Sequence, residues 1–292
     1  MAQELTMVKS NKPYRLGLYE KSIPNSYTLK EKLEICKETG FDYLEMSIDE
    51  SDWRQERLDW TEEEILELRH AMEETGVSID SICLSGHRKY PFGSHDEATR
   101  ARSLVIMEKA IVLAHKLGIR LIQLAGYDVY YEEGDEDTRK WFLENLTKAS
   151  EMAAYYGVNL GFETMETPFM DTVEKSMAYV SRVDSPYLGV YPDIGNLKNA
   201  SLIYGNTVND DLKLGKGHIF ASHLKETVPG KYREIPFGTG HTEFVSNIKV
   251  LKELGVRMFV GEFWDVGNPT WKEDMEFASK FLRGKLDEGF KA

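Results

Sequence analysis

Short apolar runs alternate with amphipathic segments along most of the chain. RLGLYE (15–20), FDYLEMS (41–47), VSIDSICLS (77–85) and IRLIQLAG (119–126) are rich in leucine, β-branched and aromatic residues, and each predicts a buried strand. Between them, apolar residues recur at helical spacing over 29–40, 61–76, about 96–117 and 136–156. Gly40 and Gly76 act as stop signals, and the acidic start of TEEEILELRHAMEETG suits the positive end of a helix dipole. The period continues through VNLGFE, YLGVYPD, HIFASH and RMFVGE, with helices expected near 170–183, 242–254 and 271–289 and a less regular segment at 200–216. Eight strand and helix pairs without a long unassigned stretch predict an α/β protein with a single (β/α)8 TIM barrel spanning 1–292. Residues 1–13 read as a polar, flexible tail.

Chemistry enters at the ends of the last four predicted strands. Glu163, Asp193, His223 and Glu262 each close an apolar run, at intervals of 30, 30 and 39 residues. That is about the length of one strand, loop and helix unit, so the four side chains fall at equivalent places in successive units, on the catalytic face of a barrel. Two glutamates, an aspartate and an imidazole make a mixed oxygen and nitrogen set that suits one divalent ion: Mn²⁺, Mg²⁺, Co²⁺ or Zn²⁺. A lone acidic residue after a strand is more often a cap or a loop solvator; four at the repeat period point to a site. His218 falls on the other side of its strand from His223 and reads as a packing residue.

Composition narrows the field. The chain carries a formal charge of -13 over 292 residues, which disfavours nucleic acid as a partner. No 18-residue apolar run predicts a membrane span, and no apolar leader is evident, so a cytoplasmic location is expected. Cys36 and Cys83 support neither a disulfide framework nor a thiolate metal site. No glycine-rich phosphate fingerprint follows the first strand.

The strings GLYEKSIP, FDYLEMSIDE, RLDW, CLSGHRKYPFGS, IQLAGYDVYY, YPDIGNL, HLKET and PFGTG resemble the L-ribulose-5-phosphate 3-epimerase family, also called L-xylulose-5-phosphate 3-epimerase, of the xylose-isomerase-like barrels. The resemblance runs from about Tyr14 through the final helix. It implies a metal-dependent 3-epimerase interconverting L-xylulose 5-phosphate and L-ribulose 5-phosphate in L-ascorbate or related pentose catabolism. The family's metal ligands carry onto Glu163, Asp193, His223 and Glu262, and Glu163 and Glu262 become the acid/base pair that removes and returns the C3 proton through an enediolate. A homodimer is compatible with this resemblance.

Two departures bear on it. Relatives acting on unphosphorylated ketohexoses commonly carry a histidine where this chain has Asn196, which hydrogen-bonds but carries no proton. Similar sequences read HVKD where this one reads HLKE, with Glu226 one methylene longer. Candidate contacts to a phosphorylated ketopentose are Glu45, His87, Arg88, Gln123, Asn196 and Lys225, with Lys21 a further cation for the phosphate. Alternatives are an epimerase or isomerase of another phosphorylated or free ketose, a noncatalytic sugar sensor, and a metal-dependent apurinic endonuclease built on the same fold.

Overall fold

The structure of the chain, a computed structural model, describes residues 12–291. Eight parallel strands run β1 Arg15–Tyr19, β2 Tyr43–Ile48, β3 Ser78–Leu84, β4 Leu121–Leu124, β5 Asn159–Phe162, β6 Leu188–Val190, β7 Ser222–Leu224 and β8 Met258–Gly261. The helices are α1 Leu29–Glu38, α2 Asp52–Gln55, α3 Glu62–Thr75, α4 Glu97–Leu117, α5 Glu136–Tyr156, α6 Val173–Val183, α7 Ile194–Tyr204, α8 Val208–Leu214, α9 Phe244–Glu253 and α10 Trp271–Phe290. From β1 to β6 each strand pairs with its sequence neighbour, β1 also pairs with β8, and β8 pairs with β7. Between β6 and β7 the ladder shrinks to single bridges, Val190 with Ile219 and Asp193 with His223, and the amides of Val190 and Phe220 bond the carbonyls of His218 and Val190 at 2.8 and 3.0 Å. These contacts close the barrel.

Side chains alternate along each strand because successive Cβ atoms point to opposite faces. Leu16, Leu44, Met46, Ile82, Ile122, Leu160, Leu188 and Phe259 point outward and form the layer between barrel and helices. Tyr19, Tyr43, Cys83, Leu121, Tyr191, Ala221 and Val260 fill the interior. Large and small residues complement each other there. A Cβ on Gly17 would lie 2.4 Å from the Tyr43 ring, and one on Gly189 would lie 2.3 Å from the His218 carbonyl oxygen, at the closing seam.

Helix starts follow local chemistry. Thr28 with Glu31 and Thr61 with Glu64 form capping boxes, while Asp96 caps α4 through the Thr99 amide. The irregular 200–216 segment resolves into two helices: α7 begins earlier, capped by Asp193, and stops at left-handed Gly205, after which Thr207 caps α8. HIFASH gives only its last two residues, Ser222 and His223, to β7, and His218 lies in the preceding turn, its carbonyl serving the β6 seam. The expected tail falls outside the described residues apart from Lys12 and Pro13, and Lys12 meets Asp42 at 2.5 Å. Cys36 and Cys83 are free thiols, both buried.

At the end of β1, Glu20 is fully buried. Arg57 grips it with two hydrogen bonds of 2.6 and 2.8 Å, Lys32 adds one of 2.8 Å, and the Ser47 amide donates a fourth at 2.8 Å. This cluster ties β1 to α1, β2 and the Glu56–Asp59 turn. Burial opposes ionisation, yet Arg57, Lys32 and Arg54 outweigh it and hold the Glu20 carboxyl at about 2. A carboxyl depressed from 4.5 to about 2 stabilises the fold by on the order of 3 kcal/mol above pH 4.5, and that contribution is lost as the pH falls from 4.5 through 2.

Glu20→Gln leaves two cations buried without their counterion and should destabilise by roughly 3–5 kcal/mol at pH 7. Denaturant unfolding across pH should show the gap to wild type narrowing below pH 4.5; a constant gap would contradict the electrostatic account. Gly189→Ala should cost about 1–3 kcal/mol through overpacking at the β6–β7 seam, read in the same unfolding assay.

Candidate metal centre

Glu163 and Glu262 directly follow β5 and β8, and His223 is the middle residue of β7. Asp193 stands three residues beyond β6, where it also caps α7: its Oδ1 accepts the Asn196 amide at 2.8 Å. The cap turns Oδ2 the other way. One ligand atom from each of these four buried residues lies within 4.8 Å of the others. His223 Nδ1 stands 3.3 Å from Glu163 Oε1 and 3.4 Å from Glu262 Oε2. Asp193 Oδ2 and Glu262 Oε2 are buried without a well-aligned hydrogen bond, each facing instead the ammonium of Lys225, at 2.8 and 3.0 Å. Three carboxylates and one imidazole, with acceptor lone pairs still open, could hold one divalent ion.

Burial and mutual repulsion dominate the electrostatics. Burial, assisted by Glu262, pushes the Asp193 carboxyl up to about 7, against the pull of Lys225. Burial also works against ionising Glu262, but Lys225 and His223 together hold its carboxyl well below the ordinary range. Lys225 is buried as well, yet the surrounding carboxylates, Asp193 first among them, raise its ammonium above the ordinary lysine value. The lysine therefore remains charged.

Several expected substrate contacts have partners within the protein. Glu45 lies beneath the quartet, with no solvent exposure; one oxygen faces His223 Nε2 at 2.7 Å and the other accepts the hydroxyls of Ser81 and Tyr191 at 2.6 and 2.8 Å. It fills the polar upper layer of the barrel, and its lone pairs are engaged there. Gln123 is also buried, and its amide donates to Glu163 Oε2. Asn196 spends its amide on the Thr164 carbonyl at 2.7 Å, and Thr164 in turn accepts the Asp193 amide at 3.0 Å. The position that carries histidine in free-sugar relatives is here a brace for the Asp193 turn.

His87, expected at the phosphate, is engaged in the core. It is buried, bonds the Ser103 carbonyl at 3.0 Å and packs against Phe92 at 4.6 Å between ring centroids. Burial lowers its imidazole to about 4, so it is neutral near pH 7. Lys225 sits at the quartet, against Asp193 and Glu262. Arg88 keeps a position at the mouth, over the rings of Tyr127 and Tyr130 at 5.7 and 4.8 Å. Lys21 pairs with Asp49 at 2.5 Å.

The loop after β7 carries features that the sequence reading passed over. Glu226 is buried and collects the amides of Gly238 and Thr242 at 2.9 and 3.0 Å, folding 226–242 back on itself. Its extra methylene is therefore part of how the loop is anchored. Arg233, on this loop, reaches Glu166 at 2.9 Å, and Glu166 also accepts the Tyr127 hydroxyl at 2.8 Å. His241 bonds Thr227 Oγ1 at 3.0 Å. Trp264 stands over Lys225, 5.8 Å from ring centroid to Nζ. Tyr191 and Ser81 were legible in principle, since period-two alternation points both into the barrel with Glu45 and His223. A cavity of about 280 Å³ adjoins the quartet, bounded by Lys225, Glu262, Phe237, Phe263 and Trp264 among others.

Comparison with known proteins agrees with this architecture. The family model described as xylose isomerase-like TIM barrel matches residues 33–283. A putative L-ribulose-5-phosphate 3-epimerase of Haemophilus influenzae is 44% identical over 284 residues, covering 95% of this chain and 98% of the relative. An L-ribulose-5-phosphate 3-epimerase of Escherichia coli is 45% identical over 245 residues, covering 84% and 85%. Among solved structures, the D-allulose 3-epimerase of a Methylomonas species superimposes with a TM-score of 0.76 at 17% identity, covering 95% of this chain and 98% of the other, which speaks to the fold. The chain belongs to the xylose isomerase-like TIM-barrel family and, within it, to the L-ribulose-5-phosphate 3-epimerases.

Proposed function

We propose that the chain is a carbohydrate epimerase that interconverts L-xylulose 5-phosphate and L-ribulose 5-phosphate at C3, with one divalent ion held by Glu163, Asp193, His223 and Glu262. The observation that carries this reading is the quartet itself: two glutamates flank His223 Nδ1 at 3.3 and 3.4 Å in a buried pocket, within a family named for 3-epimerisation. Epimerising a carbon beside a ketone needs one group to remove a proton and another to return it to the opposite face. A divalent cation supplies Lewis-acid polarisation of the C2 carbonyl and C3 hydroxyl oxygens, lowering the C3–H pKa.

The chain's own residues divide the remaining work. Glu163 and Glu262 are the proton carriers, one for each face of the substrate: the one that is ionised takes the C3 proton, and the other, carrying a proton drawn from solvent, delivers it to the opposite face. Gln123 fixes the Glu163 carboxylate through its amide, while Lys225 holds Glu262 ionised. Asp193 is oriented by the α7 cap and by Lys225. Lys225 also supplies a fixed positive charge close to where negative charge develops on the enediolate, in a site where burial strengthens electrostatics. Trp264 and Phe263 form apolar wall on one side of the cavity and limit water access to that intermediate. For the 5-phosphate, Arg88 and Lys21 are the candidate cations, since His87 is neutral and enclosed.

Binding of Mn²⁺ or Zn²⁺ should raise the melting temperature of the wild-type chain, by about 2.7 kcal/mol of added stability when the free ion reaches 100 times its Kd. His223→Ala should lose that response, and an equal response in the variant would place the ion elsewhere. The activity itself is tested by NMR of L-xylulose 5-phosphate with metal-loaded protein in D₂O, where L-ribulose 5-phosphate carrying deuterium at C3 is the expected product. Glu163→Gln and Glu262→Gln should each lower C3 exchange by at least about 10³-fold with the far-UV spectrum unchanged; normal turnover in either variant would overturn the two-glutamate mechanism.

A further inference from the structure

The polar groups beneath the quartet form a connected chain, and its hydrogen-bond directions follow from donor counting. A carboxylate has lone pairs and no proton to give. Glu45 Oε2 receives the Ser81 hydroxyl at 2.6 Å and the Tyr191 hydroxyl at 2.8 Å, and Oε1 faces His223 Nε2 at 2.7 Å. Glu45, Ser81, His223 and Tyr191 have no solvent exposure. The third contact is satisfied only if Nε2 bears the hydrogen. Nδ1 is the nitrogen that faces the quartet, 3.3 Å from Glu163 Oε1 and 3.4 Å from Glu262 Oε2, so an ion held there would take the place of a proton on Nδ1 while Nε2 keeps its hydrogen for Glu45.

We infer that Glu45 is the positioning residue of the metal centre: it fixes His223 as the Nε2–H tautomer and so makes Nδ1 the ligand nitrogen. This rests on the metal-site reading given above. Tyr191 acts twice in the arrangement. Its hydroxyl anchors Glu45, and its ring stands edge-on to the imidazole at 4.9 Å and 81°. The four residues come from β2, β3, β7 and the end of β6, so the tautomer is set by the closed barrel rather than by any one loop. Glu45 acts through His223, with no contact to the substrate. A glutamine at position 45 can turn its amide toward Nε2, which favours the Nδ1–H tautomer and removes the lone pair from the site.

The test is the affinity of the full chain for Zn²⁺, measured by competition with a chromophoric chelator in wild type, Glu45→Gln and Tyr191→Phe. Nitrogen-15 NMR of the Zn²⁺-loaded wild type, labelled at histidine, reports which ring nitrogen keeps its proton. Glu45→Gln should weaken Zn²⁺ binding by 10- to 100-fold, in the range typical for partners of a ligating histidine, and Tyr191→Phe should weaken it by a smaller factor. The His223 Nε2 signal should retain its proton in the loaded wild type. Glu45→Gln binding within twofold of wild type, or metal on Nε2, overturns the inference while leaving the metal site intact. Absence of Zn²⁺ binding by wild type would instead overturn the metal-site reading and this inference with it. If Glu45→Gln does not fold, the wild-type nitrogen signals and Tyr191→Phe decide the matter.

Discussion

Three carboxylates and an imidazole within 4.8 Å of one another, in a barrel mouth from which water is largely excluded, require compensating positive charge. Most of the surrounding architecture answers that requirement. Lys225 lies against Asp193 and Glu262 and stays charged although buried. With a divalent ion, this lysine and a neutral His223, the formal charges of the three carboxylates are balanced.

Crowding like charges also demands that each carboxylate be held from behind, because a free one would rotate away. Gln123 grips Glu163, the first turn of α7 grips Asp193, and Lys225 grips Glu262. Thr164 and Asn196 brace the turn that carries Asp193. These supports come from strand ends and helix starts, the stiffest parts of a barrel face. The 226–242 loop is stiffened differently, by the buried Glu226 carboxylate drawing two distant backbone amides together.

A second buried carboxylate cluster is built on the opposite principle. Glu20 is outnumbered by Arg57, Lys32 and Arg54, so its ionised form is stabilised and its lone pairs are satisfied. That cluster holds the N-terminal side of the barrel together. At the quartet carboxylates outnumber the resident cations, and open lone pairs remain. The contrast separates a structural ion cluster from a ligand site more clearly than burial alone, since both are buried.

The sequence by itself determined the barrel and the four residues that could hold a metal. Strand and helix periodicity is local, helix caps lie within three residues of the turns they close, and the recurrence of Glu163, Asp193, His223 and Glu262 follows from the strand–helix repeat. What surrounds the quartet was decided only by the tertiary structure. Glu45 and His223 are 178 residues apart, and they meet because eight strands close into one ring. His87 lies beside Arg88 in a basic string that reads as an anion contact, but its ring packs on Phe92 and bonds Ser103, so the fold makes it a neutral core residue. Lys225 reads as a cation at the mouth and becomes the counterion of the quartet, because the direction of a side chain at a strand end depends on the partners that the closed barrel supplies.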